Sequence, residues 1–197
     1  MATMDVGQVT IGAAKATGAI WVAPNGTTLP ANATDALAND WNLLGFTSDA
    51  GVQISESSST QDIVAWEERT VVYTARTEYK ENVTFTPIQA NEDVAKLMWG
   101  DDAVEVSGGN ITTKHHGRTI EPVCIVIETT PREGIVKRYC GTFQLAERGE
   151  QTMDGTQVDA RALTFGSIAD TDGVTMYEYT AFSSPASAPT NSGGEEE

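Results

Sequence analysis

Apolar and polar residues alternate with period two along much of this chain, and that alternation predicts strands with one buried face. Between residues 70 and 77, Val71, Tyr73 and Ala75 fall on one face and Val72, Thr74 and Arg76 on the other. Val83 and Phe85 continue the pattern against Asn82, Thr84 and Thr86. Residues 70–88 therefore form either a hairpin turning at Tyr79-Lys80 or one long bulged strand, and the pattern leaves both open. Shorter strands are predicted at 20–23, 41–44 and 51–56, and further ones at 111–115, 121–129, 135–145, 157–165 and 174–182. Turn residues separate several of these, in Pro131-Arg-Glu-Gly134, Asp154-Gly155 and Asp170-Thr-Asp-Gly173.

The period changes once. Val94, Leu97 and Met98 recur at helical spacing, Asn91 stands where an N-cap belongs, Glu92 and Asp93 suit the positive end of the helix dipole, and Gly100 suits the C′ position. So short a helix is marginal alone and must pack its apolar side on the sheet. Residues 27–40 and the acidic stretch 101–110 read as loops. A third loop, residues 57–68, is serine-rich and then amphipathic around Gln61-Asp-Ile-Val-Ala-Trp66-Glu67. A loop this long within a compact domain is often functional. The resulting fold class is mainly β, a β-sandwich or barrel-like domain with one short flanking α-helix, a long loop and extended termini. Residues 1–18 are expected to be a flexible N-terminal arm, 19–182 the β domain, and 183–197 a disordered acidic C-terminal tail.

Composition changes this picture through charge. The chain has 197 residues, with 12 Lys and Arg against 28 Asp and Glu, a net of −16 to which the three terminal glutamates add little. Such a body repels phosphate backbones, which argues against specific nucleic-acid binding. No apolar run approaches the roughly 20 residues of a membrane span. Residues 1–18 lack the basic start and apolar centre of a secretory signal, so assembly in a cytoplasm is expected. Four Asn-x-Ser/Thr sites, at Asn25, Asn32, Asn82 and Asn110, then read as chance in a threonine-rich chain.

Candidate chemistry is thin. Gly100-Asp101-Asp102 matches a short metal-binding string of polymerases, but the glycine is already needed to end the helix. Asp170-x-Asp172-Gly173 begins like a calcium loop and lacks its remaining ligands, so a hairpin turn explains it better. His115 and His116, if in a strand, point to opposite faces. No catalytic, cofactor or metal residues are assigned, and no enzyme activity is expected. A symmetric hairpin about 130–134 sets Cys124 opposite Cys140, as paired reduced thiols in preference to a disulfide. Trp41 and Trp99 sit among apolar periodic residues and read as core. Trp66 sits among Asp62, Glu67 and Glu68, where satellite packing and an interface anchor weigh equally.

The motifs Asp62-Ile-Val-Ala-Trp66, Phe85-Thr-Pro-Ile-Gln-Ala-Asn91 leading into Met98-Trp-Gly100, residues 123–143, the opening Gly18-Ala-Ile-Trp-Val-Ala-Pro24 and the strand at 160–167 occur in an order that resembles the major tail (tail tube) proteins of siphophages. The resemblance spans most of residues 18–182. It implies a structural virion protein that self-assembles into stacked hexameric rings around a shared inner barrel, the conduit for DNA ejection. It also implies partners: further copies of itself, and tape measure, tail terminator and baseplate proteins. DNA would pass without specific binding, and no membrane would be involved. The virion tail would be the location, after assembly in the host bacterial cytoplasm. Gln61, Asp62, Ile63, Trp66 and Glu67 are then the candidate contacts between rings or subunits. The reading from another class is an extracellular β-sandwich adhesin or glycan-binding module, which would need a secretion signal.

Overall fold

Strand β7 (Val123–Arg132) is buried on both faces from Cys124 to Glu128, and the rest of the molecule is arranged around it. The computed structural model describes residues 10–15, 18–132, 135–156 and 158–182, and for residues 131 and 132 the backbone only. Most of the expected arm and all of the expected tail at 183–197 lie outside the described residues.

The chain order is β1 (Ile20–Pro24), β2 (Asn42–Leu43), β3 (Thr47–Val64), β4 (Val71–Pro87), α1 (Glu92–Trp99), β5 (Val104–Ser107), β6 (Asn110–Thr113), β7, β8 (Ile135–Arg148), β9 (Leu163–Ile168) and β10 (Tyr177–Phe182). One antiparallel sheet runs β2-β1-β7-β8-β9-β4-β3. Strand β8 is long enough to carry two partners on the same edge: β10 pairs with it from Ile135 to Cys140, and β9 from Thr142 to Arg148. The turn at Asp170–Gly173 therefore joins two strands that do not pair with each other, and the expected hairpin there is corrected. It is an Asx-type turn, with Asp170 Oδ1 accepting from the Asp172 and Val174 amides, each at 2.9 Å.

Alternation sorts the side chains into two cores. Ile20, Val22, Val83, Phe85, Ile125, Phe143, Leu163 and Phe165 join Val94 and Leu97 of α1 in the larger one. Strands β1 and β4 stand four steps apart in the sheet, roughly 19 Å if flat, yet feed one cluster, so the sheet folds over on itself as in a sandwich. On the other face of β1, β7 and β8, Ala23, Cys124, Val126 and Cys140 pack with Trp41 beneath residues 25–40. The two cysteines are free and buried. They are not opposite one another: Cys124 faces Thr142 and Cys140 faces Val126, two residues away from the symmetric register, because the ladder continues to Arg132–Ile135 through an irregularity.

Residues 70–88 form one long strand, bulged at two places, and not a hairpin. The helix is capped as its sequence dictates. Asn91 Oδ1 accepts from the Val94 amide at 2.8 Å, and Gly100, at φ +89°, donates its amide to the Lys96 carbonyl at 2.7 Å. Asn91 also donates through Nδ2 to the Leu44 carbonyl at 2.9 Å, fastening α1 to the chain leaving β2. Asn91→Ala is expected to cost about 2 kcal/mol, one share for the cap and one for the orphaned carbonyl. The loss should appear as a lower urea midpoint at unchanged slope, and Asn91→Asp, which keeps the acceptor alone, should recover only the cap's share.

Candidate assembly interface

Strand β4 pairs with β9 only from Asn82 to Phe85. From Glu81 back to Val71 its sole strand partner among the described residues is β3, matched from Glu56↔Glu81 through Ile63↔Tyr73. The result is a two-stranded ribbon that leaves the sheet, with both faces and both outer edges open among the described residues. Residues 57–68 are thus not a long loop: β3 continues to Val64, and only the tip turns. That corrects the expected loop. The sequence Glu56-Ser-Ser-Ser-Thr-Gln-Asp lacks apolar alternation because neither face of this part of β3 is buried, so the ladder alone holds it extended.

At the tip the Ala65 amide donates to Thr70 at 2.8 Å, and Glu67–Arg69 form one 3-10 turn. Glu68 and Arg69 take the left-handed conformation, φ +52° and +54°, which non-glycine residues rarely adopt. Trp66 stands at the outermost point, 95% exposed. Gln61, Asp62, Ile63, Trp66 and Glu67, neighbours in the sequence, all lie on this distal part. Asp62 accepts from Thr74 Oγ1 at 2.6 Å, and Ile63 lies opposite Tyr73.

The facing strand adds residues the sequence reading did not assign. Val71, Val72 and Tyr73 are all exposed beside Ile63 and Val64. Their alternation was visible, but period two says nothing about whether either face is covered. Exposed apolar residues gathered at one end of an element are a candidate contact surface.

The other candidate groups have local roles. Asp102 accepts from Arg118 at 3.0 Å just after the helix terminator. His115 lies beyond β6 and stacks on Trp99 with ring centroids 3.9 Å apart, while Arg148 covers the same indole at 4.3 Å and donates through Nε to the Met98 carbonyl at 2.7 Å. Among the described residues no group of three or more His, Cys, Asp or Glu could hold a metal ion, and no helix is long and apolar enough to cross a membrane.

A family model described as "Phage tail tube protein" matches residues 2–179. This chain belongs to the phage tail tube protein family. No curated protein matches it. As a tail tube protein it is a structural component of the virion tail, where copies of the chain build a tube. A tail tube protein must present surfaces to its own copies, and the ribbon carries exposed apolar residues at its end. Its open edges leave amide and carbonyl groups to be paired by another strand.

Proposed function

We propose that copies of this chain form hexameric rings that stack into the tail tube, through which DNA leaves the capsid for the host cell. The observation that carries this reading is the ribbon of β3 and β4, extended, open on both edges and apolar at its end. A barrel closed across subunits would satisfy those edges, which an isolated monomer leaves to water. Gln61, Asp62, Ile63, Trp66 and Glu67 would then meet a neighbouring subunit or the next ring.

The acidity has a use in such a tube. With a net of −16 per chain, a lumen carrying part of that charge repels DNA within about 8 Å of the wall, the Debye length at physiological salt. Transport is served by weak contact with the cargo, and no specific DNA site is required. The role is structural, without catalysis. Assembly takes place in the host cytoplasm, with tape measure, terminator and baseplate proteins setting length and ends. Negative-stain microscopy of the concentrated, purified chain should show sixfold rings and tubes. A persistent monomer, or rings of another symmetry, would count against it.

A further inference from the structure

A tip that inserts needs a receiving surface, and the same chain carries one at the ribbon's root. Residues 10–15 run beside the start of β3, pinned where the Thr130 amide donates to the Ala13 carbonyl at 2.7 Å. Between this arm and the sheet lies a cleft of about 480 Å³. Its apolar wall includes Ile11 and Phe46, each 68% exposed, together with Val52 and Ile54. A cavity of about 150 Å³ accommodates a benzene ring, so this cleft has room for an indole and a neighbouring aliphatic side chain.

Charge narrows the occupant. In a chain where acids outnumber bases by 28 to 12, the only charged residues lining the cleft among the described residues are Lys15 and Lys137. Each already holds a carboxylate, Glu128 at 2.7 Å and Glu178 at 3.0 Å, and an ammonium group has three protons to give. The ribbon tip supplies the complement: exposed Trp66 and Ile63 flanked by three acids, Asp62, Glu67 and Glu68, against one base, Arg69. Ile54 at the root and Ile63 near the tip lie nine residues apart on one paired strand, roughly 30 Å. The tip therefore cannot reach its own cleft.

We propose that this cleft is the seat for the Trp66 tip of a second copy of the chain. The contact is head-to-tail, and a heterologous contact of this kind propagates into rings or open stacks. The inference rests on the tube reading above and adds the surface that receives the ribbon.

Cysteine pairing tests it without touching the contact side chains. Full-length Ser48→Cys, in the cleft wall, and full-length Ala65→Cys, beside Trp66, are mixed in equal amounts under assembly conditions and treated with a flexible bismaleimide. The native Cys124 and Cys140 are buried and stay unreactive in the folded chain. The expected main product is a covalent dimer whose linked peptides contain positions 48 and 65, lost when Trp66→Ala is added to the second chain. Tubes without that product, or with only 65-to-65 links, overturn the seat and leave the tube reading intact. The 48-to-65 product without rings or tubes supports the seat and counts against the rings. Neither product nor tubes overturns both.

Discussion

Arg138→Ala is expected to lower the stability of the monomer by about 3–5 kcal/mol, the usual cost of removing one partner from a buried ion pair. Against a typical total of about 5–15 kcal/mol, that is a large fraction. Arg138 is only 4% exposed and Glu128 8%. They sit directly opposite on β8 and β7, with the guanidinium donating to Glu128 Oε2 at 2.9 Å. Its other terminal nitrogen donates to the carbonyls of Asn32 and Asp35 at 3.0 and 2.9 Å, which ties the covering segment 25–40 to the sheet. The alanine variant leaves a buried carboxylate with Lys15 alone and frees both carbonyls. Replacing Arg138 and Glu128 together by methionine should be milder, because no buried charge is left unpaired and Lys15 can turn to solvent.

The same pair has a pH signature. Burial pushes the Glu128 carboxyl up, but hydrogen bonds from Lys15 and Arg138 outweigh it and hold the group below its ordinary 4.5. A depressed folded pKa contributes stability that is complete above the unfolded value and is lost as pH falls through the folded one. The penalty of Arg138→Ala should therefore be full above about pH 5 and shrink on further acidification, as the wild type loses the contribution that the variant no longer has. Urea unfolding at several pH values measures both. A wild-type midpoint in the variant at neutral pH would show that apolar contacts alone hold residues 25–40.

This pair marks where the sequence stops being legible. Lys137 and Arg138 are neighbours on β8 and point to opposite faces, and nothing in the strand's own sequence says that the face of Arg138 is covered. Residues 25–40, an irregular segment without periodicity, cover it. The strands around the larger core and helix α1 were readable from apolar residues at strand or helix spacing between turn signals, and Asn91 and Gly100 fix the helix ends by local chemistry. Of the β5–β6 hairpin only β6 was read, as the strand at 111–115, and β5 was missed. The turn signal, Gly108-Gly109 with φ of +57° and +80°, was plain, but acidic neighbours made the stretch look like loop. The ribbon was half legible. Its β4 strand alternates, its β3 strand does not, and only pairing to β4 reveals that both are extended. The five candidate residues are neighbours in the sequence, but their place at the end of an extended ribbon follows only from that pairing.

Trp66→Ala should separate folding from assembly more sharply than any other single change. With 95% of its surface in solvent, the side chain contributes little to the monomer, so unfolding should shift by no more than about 0.5 kcal/mol. Tryptophan anchors that become buried between proteins typically cost about 2 kcal/mol or more when truncated. That corresponds to a contact weakened by about 30-fold. Because every subunit added to a growing tube must make the contact, the loss is not diluted along its length. The concentration needed for growth should rise by about the same 30-fold factor. Sedimentation of assembled material across a concentration series reads that threshold. Tyr73→Ala, which trims the same apolar end without removing its outermost group, should shift it less. Tubes of normal length at the wild-type concentration would place the contacts elsewhere on the chain, and the open edges of β3 and β4 would then have to hold the tube without the tip.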